Sequence, residues 1–169
     1  MARFTFRGGV HPYDGKDISK DKPIKGYNPK GDAVYPLSQH IGAPAQAIVN
    51  KGDAVLVGQK IAEAGGFVSS PIYSSVSGTV KAIEPRRVAT GDMVMSIVIE
   101  NDGEFNEVTY ETPKPVELLL KEDILKLIQE AGIVGMGGAG FPTHVKLGAK
   151  EPEKIDYVIA NCAECEPYL

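Results

Sequence analysis

The run Val49-Asn-Lys-Gly-Asp-Ala-Val-Leu-Val-Gly-Gln-Lys-Ile-Ala62, followed closely by Ser69-Ser-Pro-Ile-Tyr-Ser-Ser-Val-Ser-Gly-Thr-Val80, decides how this chain folds. Within it, Ala54-Val-Leu-Val57 and Lys60-Ile-Ala-Glu63 are short, β-rich segments. Gly52-Asp53 and Gly65-Gly66 punctuate them. The same texture continues outward in Ala33-Val-Tyr-Pro-Leu37, Ala47-Ile-Val49, Gly78-Thr-Val-Lys-Ala-Ile83 and Val94-Met-Ser-Ile-Val-Ile-Glu100, with Gly91-Asp92 as a further turn signal. Short strands at this spacing predict a small all-β sandwich or barrel over residues 33–110.

These two runs resemble the two halves of a biotinyl or lipoyl carrier domain, which implies a barrel-sandwich hybrid fold. The carrier function does not follow. Carriers place their modified lysine on the hairpin between the halves, and Glu63-Ala-Gly-Gly-Phe-Val-Ser69 has none. Lys60 and Lys81 flank that hairpin but fall within predicted strands. A docking or spacer role is expected instead.

Composition excludes several function classes. The chain has 169 residues, 43% hydrophobic and 24% charged, with a formal net charge of −4 and no basic run. Nucleic-acid binding through a basic face is not expected. No apolar run is long enough for a membrane helix, and the N-terminus lacks the apolar core of a signal peptide. Two cysteines, Cys162 and Cys165, are too few for a disulfide framework and suit a reducing cytosol. Their Cys-x-x-Cys spacing suits a metal, but no second pair completes a tetrahedral site. They read as small, partly buried thiols. Residues 1–32, rich in Gly, Pro, Lys and Asp, read as an extended arm lying on the body of the protein. His11, beside a proline, reads as a turn residue within it.

Beyond the β region, Asn101-Asp-Gly-Glu104 signals a turn and Glu111-Thr-Pro-Lys-Pro115 a linker, after which a second domain is expected over 111–169. Val116 to Ala131 reads as a helix. Ile124, Leu125, Leu127, Ile128 and Ala131 form its apolar face, taken as core, and Gly132 ends it. Then comes Gly132-Ile-Val-Gly-Met-Gly-Gly-Ala-Gly-Phe-Pro-Thr-His144, with five glycines in nine residues. Gly135, Gly137 and Gly140 fit G-x-G-x-x-G, a spacing through which backbone amides approach a phosphate closely. Pro142 and Thr143 can open a helix, with Thr143 able to cap it and the amides at its start favouring an anion. Lys146 follows in the first turns of that helix. The loop follows a helix rather than a strand, so it is not an ordinary first Rossmann turn. Lys154-Ile-Asp-Tyr-Val-Ile-Ala-Asn161 reads as a buried strand, with Glu164 and Glu166 in the turn after it. A ligand crevice lies beyond the carboxyl ends of such strands, so the sequence is expected to be the first part of a longer domain.

Gly135-Met-Gly-Gly-Ala-Gly-Phe-Pro-Thr143, Lys146 and Asn161-x-x-Glu164-x-Glu166-Pro167 resemble the flavin-binding segment of the NADH-oxidising flavoprotein subunit of respiratory complex I. Met136 stands where arginine is common in that family. Gly8-Gly-Val-His-Pro12, Pro36-Leu-Ser-Gln-His-Ile-Gly-Ala-Pro44, Val76-Ser-Gly-Thr-Val80 and Cys165-Glu-Pro-Tyr168 resemble the RnfC family, a subunit of the Rnf electron transport complex. That resemblance implies a β + α/β chain, with a barrel-sandwich hybrid followed by the truncated start of a Rossmann-like FMN/NADH-binding domain. It also implies a peripheral subunit on the cytoplasmic face of the cell membrane, within a ferredoxin:NAD oxidoreductase coupled to Na⁺ or H⁺ transport. Its partners would be the other Rnf subunits and, through them, ferredoxin.

By the same resemblance, Gly135, Gly137, Gly138, Ala139, Gly140 and Phe141 would wrap FMN, and Lys146 would bind the flavin or its phosphate. Asn161, Glu164 and Glu166 would line the flavin–nicotinamide site. No residue would act as acid or base, because the flavin takes the hydride. Two 4Fe-4S clusters belong to the full-length family, but their cysteine runs are absent from this sequence. The chain alone is therefore expected to be inactive and to bind FMN weakly or not at all. A soluble electron carrier serving another reductase and a non-redox docking module are the alternative readings.

Overall fold

The computed structural model describes residues 13, 15–112 and 114–160. Two compact units divide the chain. One holds residues 28–152; the other joins 1–27 to 153–169. In the second, the described residues make only short 3-10 turns, at Lys16–Ile18 and around Pro152–Lys154.

The larger unit is built on strands β1 (Ala33–Pro36), β2 (Gln46–Ala47), β3 (Ala54–Val55), β4 (Lys60–Glu63), β5 (Ile72–Tyr73), β6 (Gly78–Arg87) and β7 (Met93–Asn101). They form two antiparallel sheets, β1-β7-β6-β3 and β2-β4-β5. Alternate residues of a strand face one side. That is why Val55, Ile61, Ile72, Val80, Ile97 and Ile99 meet in one core between the sheets, with Val76 supplied by the turn before β6. A register shift between Val80 and Ala82 bends β6 where the sheet curls around that core. The result is the expected barrel-sandwich hybrid.

Strand β5 is absent from the sequence expectation because it is two residues long and embedded in a serine run. Serines at 69, 70, 74 and 77 are buried there. Most are satisfied locally: Ser77 Oγ donates to Asp102 Oδ1 at 2.7 Å, and Ser69 Oγ accepts the Gly65 amide at 2.9 Å. Hydrogen bonding lets hydroxyls sit inside without a large desolvation cost.

The helix expected over 116–131 is shorter. A 3-10 turn occupies Val116–Leu118, the chain then extends through Leu119 and Leu120, and helix α1 runs Lys121–Glu130. Asp123 sets the start, its Oδ2 accepting the Leu120 amide at 3.1 Å. Gly132 ends α1 as expected. Its φ of +68° permits a Schellman closure, with the Gly132 amide donating to Gln129 O and the Ile133 amide to Ile128 O. The apolar face of α1 is not core: no residue of the helix is buried. Helix α2 (Thr143–Leu147) has only five residues.

The expected buried strand over 154–161 does not form within the described residues. Tyr157, Val158 and Ile159 are 86, 91 and 88% exposed. An apolar run becomes a buried strand only when neighbouring strands satisfy its backbone, and none of the described strands pairs with it.

Ile97 sits fully buried at the centre of the core. Ile97→Ala is expected to cost about 3 kcal/mol, read as a lower urea midpoint with unchanged slope. A loss under about 1 kcal/mol would contradict this placement of the core.

Candidate functional site

The glycine loop closes on itself at its base. Val134 bridges Pro142, the Gly135 amide donates to Phe141 O at 2.8 Å, and the Thr143 amide donates to Ile133 O at 3.0 Å. That pairing uses the amides of residues 135 and 143 and leaves those of 136–141 out of it.

Both ends of the loop rest on the β domain, and glycine makes this possible. At the entry, a Cβ on Gly132 would lie 3.0 Å from Pro71 O and 3.3 Å from the Tyr73 ring. At the exit, Gly140 is buried with φ +59°, and a Cβ there would lie 2.9 Å from Gln39 O and 3.0 Å from His40 Cα. Between these, Ile41 donates its amide to Ala139 O at 3.0 Å. The loop is thus pinned backbone to backbone, the only packing that glycines offer.

The middle of the loop differs. A Cβ on Gly137 or Gly138 would meet nothing within 4 Å. Gly138 holds φ +120°, which itself favours glycine, whereas at Gly137 neither packing nor a positive φ calls for one. Space is left for an external group to approach the backbone closely. Met136 is exposed. Phe141 is half-buried at the base.

Lys146 lies in the last turn of α2 with its side chain in solvent. Thr143 is the first residue of α2 and caps nothing; the cap position is Pro142, with no side-chain bond. Five residues make too short a helix for a substantial macrodipole. Asn161, Cys162, Glu164, Cys165 and Glu166 lie outside the described residues, as does His11.

The entry end carries a polar clamp that sequence reasoning missed. Lys60 of β4 pairs with Glu130 at the end of α1, and the Tyr73 hydroxyl donates to the Glu130 carbonyl. Lys60 also sits 6.0 Å from the centre of the Tyr73 ring. Glu130, hydrogen-bonded to the ammonium, raises the Lys60 pKa above the ordinary 10.5. Burial raises the Tyr73 phenol above the ordinary 10.0. The signal was faint, since Lys60 and Glu130 are seventy residues apart in sequence.

The RnfC barrel sandwich hybrid domain matches residues 4–104. The chain belongs to the RnfC family. The Nuo51 FMN-binding domain matches residues 128–169, which include the glycine loop and Lys146. Among RnfC relatives, the C subunit of the Na⁺-translocating ferredoxin:NAD⁺ oxidoreductase complex of Acetobacterium woodii is 49% identical over 98% of this chain and 38% of its own length. The C subunit of the proton-translocating ferredoxin:NAD⁺ oxidoreductase complex of Clostridium ljungdahlii is 49% identical over 98% of this chain and 36% of its own length. The C subunit of the ion-translocating oxidoreductase complex of Vibrio cholerae is 39% identical over 98% of this chain, which covers 22% of that relative. The chain therefore spans little more than a third of the first two relatives and less of the third. No helix among the described residues is long and apolar enough to cross a membrane.

Both clamp groups hold their protons more tightly in the folded chain than in the unfolded one. Their contribution is complete below about pH 10 and is lost as pH climbs through the raised values. The wild-type urea midpoint should fall more steeply above about pH 10 than that of Lys60→Met/Tyr73→Phe. Parallel curves would show that the clamp contributes nothing.

Proposed function

We propose that this chain forms the β domain and the flavin-cradling start of the NAD(H)-exchanging subunit of a membrane-bound ferredoxin:NAD oxidoreductase coupled to Na⁺ or H⁺ transport. One observation carries the proposal. Within a loop fixed at both ends, Gly137 and Gly138 face no protein atom where a side chain would stand, and the loop lies inside the match to the FMN-binding domain.

The residues fit a flavin mononucleotide. Its phosphate is a dianion, and backbone amides with a nearby ammonium suit such a group. The backbone of Gly135, Gly137, Gly138, Ala139, Gly140 and Phe141 would wrap the cofactor, and Lys146 would meet the phosphate or the ring. Asn161, Glu164 and Glu166 would line the side where nicotinamide approaches. Bound FMN would supply hydride acceptance and the change from two-electron to one-electron transfer. The chain's own residues bind and orient, and none needs to exchange a proton.

The division of labour follows the sequence, with the barrel-sandwich hybrid at 33–110 and the flavin segment at 111–169. Two 4Fe-4S clusters would need eight thiolates, and these 169 residues hold two cysteines. The clusters would therefore depend on other parts of the subunit. The subunit would sit at the cytoplasmic face of the membrane, joined to the other Rnf subunits and reaching ferredoxin through them. Alone, the chain would lack the far side of the flavin and hold FMN weakly.

Gly137→Val in a subunit of the relatives' full length tests the cradle. FMN affinity should fall at least tenfold, about 1.4 kcal/mol, with the melting temperature within about 2 °C of wild type. Wild-type affinity in this variant would remove the loop from the flavin site.

A further inference from the structure

We propose that His40 is a positioning residue through which the β domain sets the geometry of the glycine loop. The inference rests on the reading of that loop as the flavin cradle. His40 is 8% exposed and belongs to the segment between β1 and β2. Its Nδ1 lies 3.1 Å from Ile41 O, and its Nε2 lies 3.1 Å from the Ser70 amide nitrogen. Nε2 also lies 3.2 Å from Ser70 O; with Nδ1–H donating to the Ile41 carbonyl, Nε2 accepts from the Ser70 amide and makes no hydrogen bond to that oxygen.

Each contact leads to the loop. Ile41, its carbonyl held by the imidazole, gives its amide to Ala139. The backbone of His40 is also the surface on which Gly140 rests: a Cβ at Gly140 would lie 3.0 Å from His40 Cα and 3.3 Å from His40 Cβ. Ser70 begins the run Ser70-Pro71-Ile72-Tyr73, whose Pro71 and Tyr73 hold Gly132 at the other end. The His40–Ser70 bond therefore ties the exit anchor of the loop to its entry anchor. The segment around His40 is itself fixed from below, since Ala43 donates to Val68 O at 2.9 Å and Leu37 donates to Met95 O at 2.9 Å.

His40, Ser70, Tyr73, Gly132 and Val134 line a cleft of about 330 Å³. Removing the imidazole deletes the direct bond from this segment to Ser70 and leaves the Ala43–Val68 bond in place. The loop would keep its own base pairing but lose its fixed span. A displacement on the order of 1 Å in a binding loop can weaken function up to about a hundredfold.

The test uses a subunit of the relatives' full length with wild-type, His40→Ala, His40→Gln and Val55→Ala sequences. Val55 is a buried core residue remote from the loop in sequence, and its truncation reports destabilisation alone. FMN affinity should fall about tenfold to a hundredfold in His40→Ala. It should recover substantially in His40→Gln, whose Oε1 reaches the place of Nε2 and accepts from Ser70. It should stay within about twofold of wild type in Val55→Ala. In the ligand-free protein, hydrogen exchange at the Ile41 amide should quicken in His40→Ala only, while the Gly135 amide, held by the loop's own base pairing, should keep its rate. Unchanged exchange and affinity in His40→Ala, or equal losses in Val55→Ala, would overturn the assignment. A wild-type subunit that binds no FMN would instead sink the flavin reading, and the exchange rates alone would then decide the role of His40.

Discussion

The structure depends on contact between two stretches of bare backbone. Gly132 and Gly140 bring the ends of a glycine loop against Pro71, Tyr73, Gln39 and His40 of the β domain, at distances where a Cβ would crowd its neighbours, most tightly at Gly140. The loop contributes little else to its own stability. Helix α1 before it has no buried residue, and α2 after it has five residues. Short, half-exposed helices owe their stability to packing. Here that packing comes from the contact of α1 with α2 and from the Lys60–Glu130–Tyr73 clamp.

This arrangement alters the meaning of the barrel-sandwich hybrid. The hairpin between its two halves carries no lysine, so it has nothing to swing. Its β5 and the segment before β2 serve as the two walls that hold the glycine loop. A binding loop must be preorganised to bind well, and rigid elements do this better than a free linker.

Much of the fold was legible in the sequence, for identifiable reasons. Strands β1, β4, β6 and β7 carry enough β-branched and apolar residues to declare themselves, and β4 falls on Lys60–Glu63 as expected. Gly132 was readable as a helix end because the αL position after a helix strongly favours glycine. Strand β5 was hidden by its length and its serines. The helix start was misplaced because Val116–Leu120 are good helix formers by composition, while the Asp123 cap that fixes the start is a single local bond. The apolar run 154–160 signals a strand only where partners exist to pair with it. In the site, the glycine loop and Lys146 were visible from spacing. His40, Ile41, Lys60 and Tyr73 were not, because each acts across thirty residues or more and no periodicity encodes such contacts.

In the proposed reading, the middle of the glycine loop turns its backbone toward a flavin. Hydrogen exchange of a subunit of the relatives' full length, with and without FMN, addresses it directly. Slowing concentrated in the loop peptides from Gly135 to Thr143, with the β core unchanged, is the expected result. Strong FMN binding that leaves those peptides exchanging at their free rate would contradict the account.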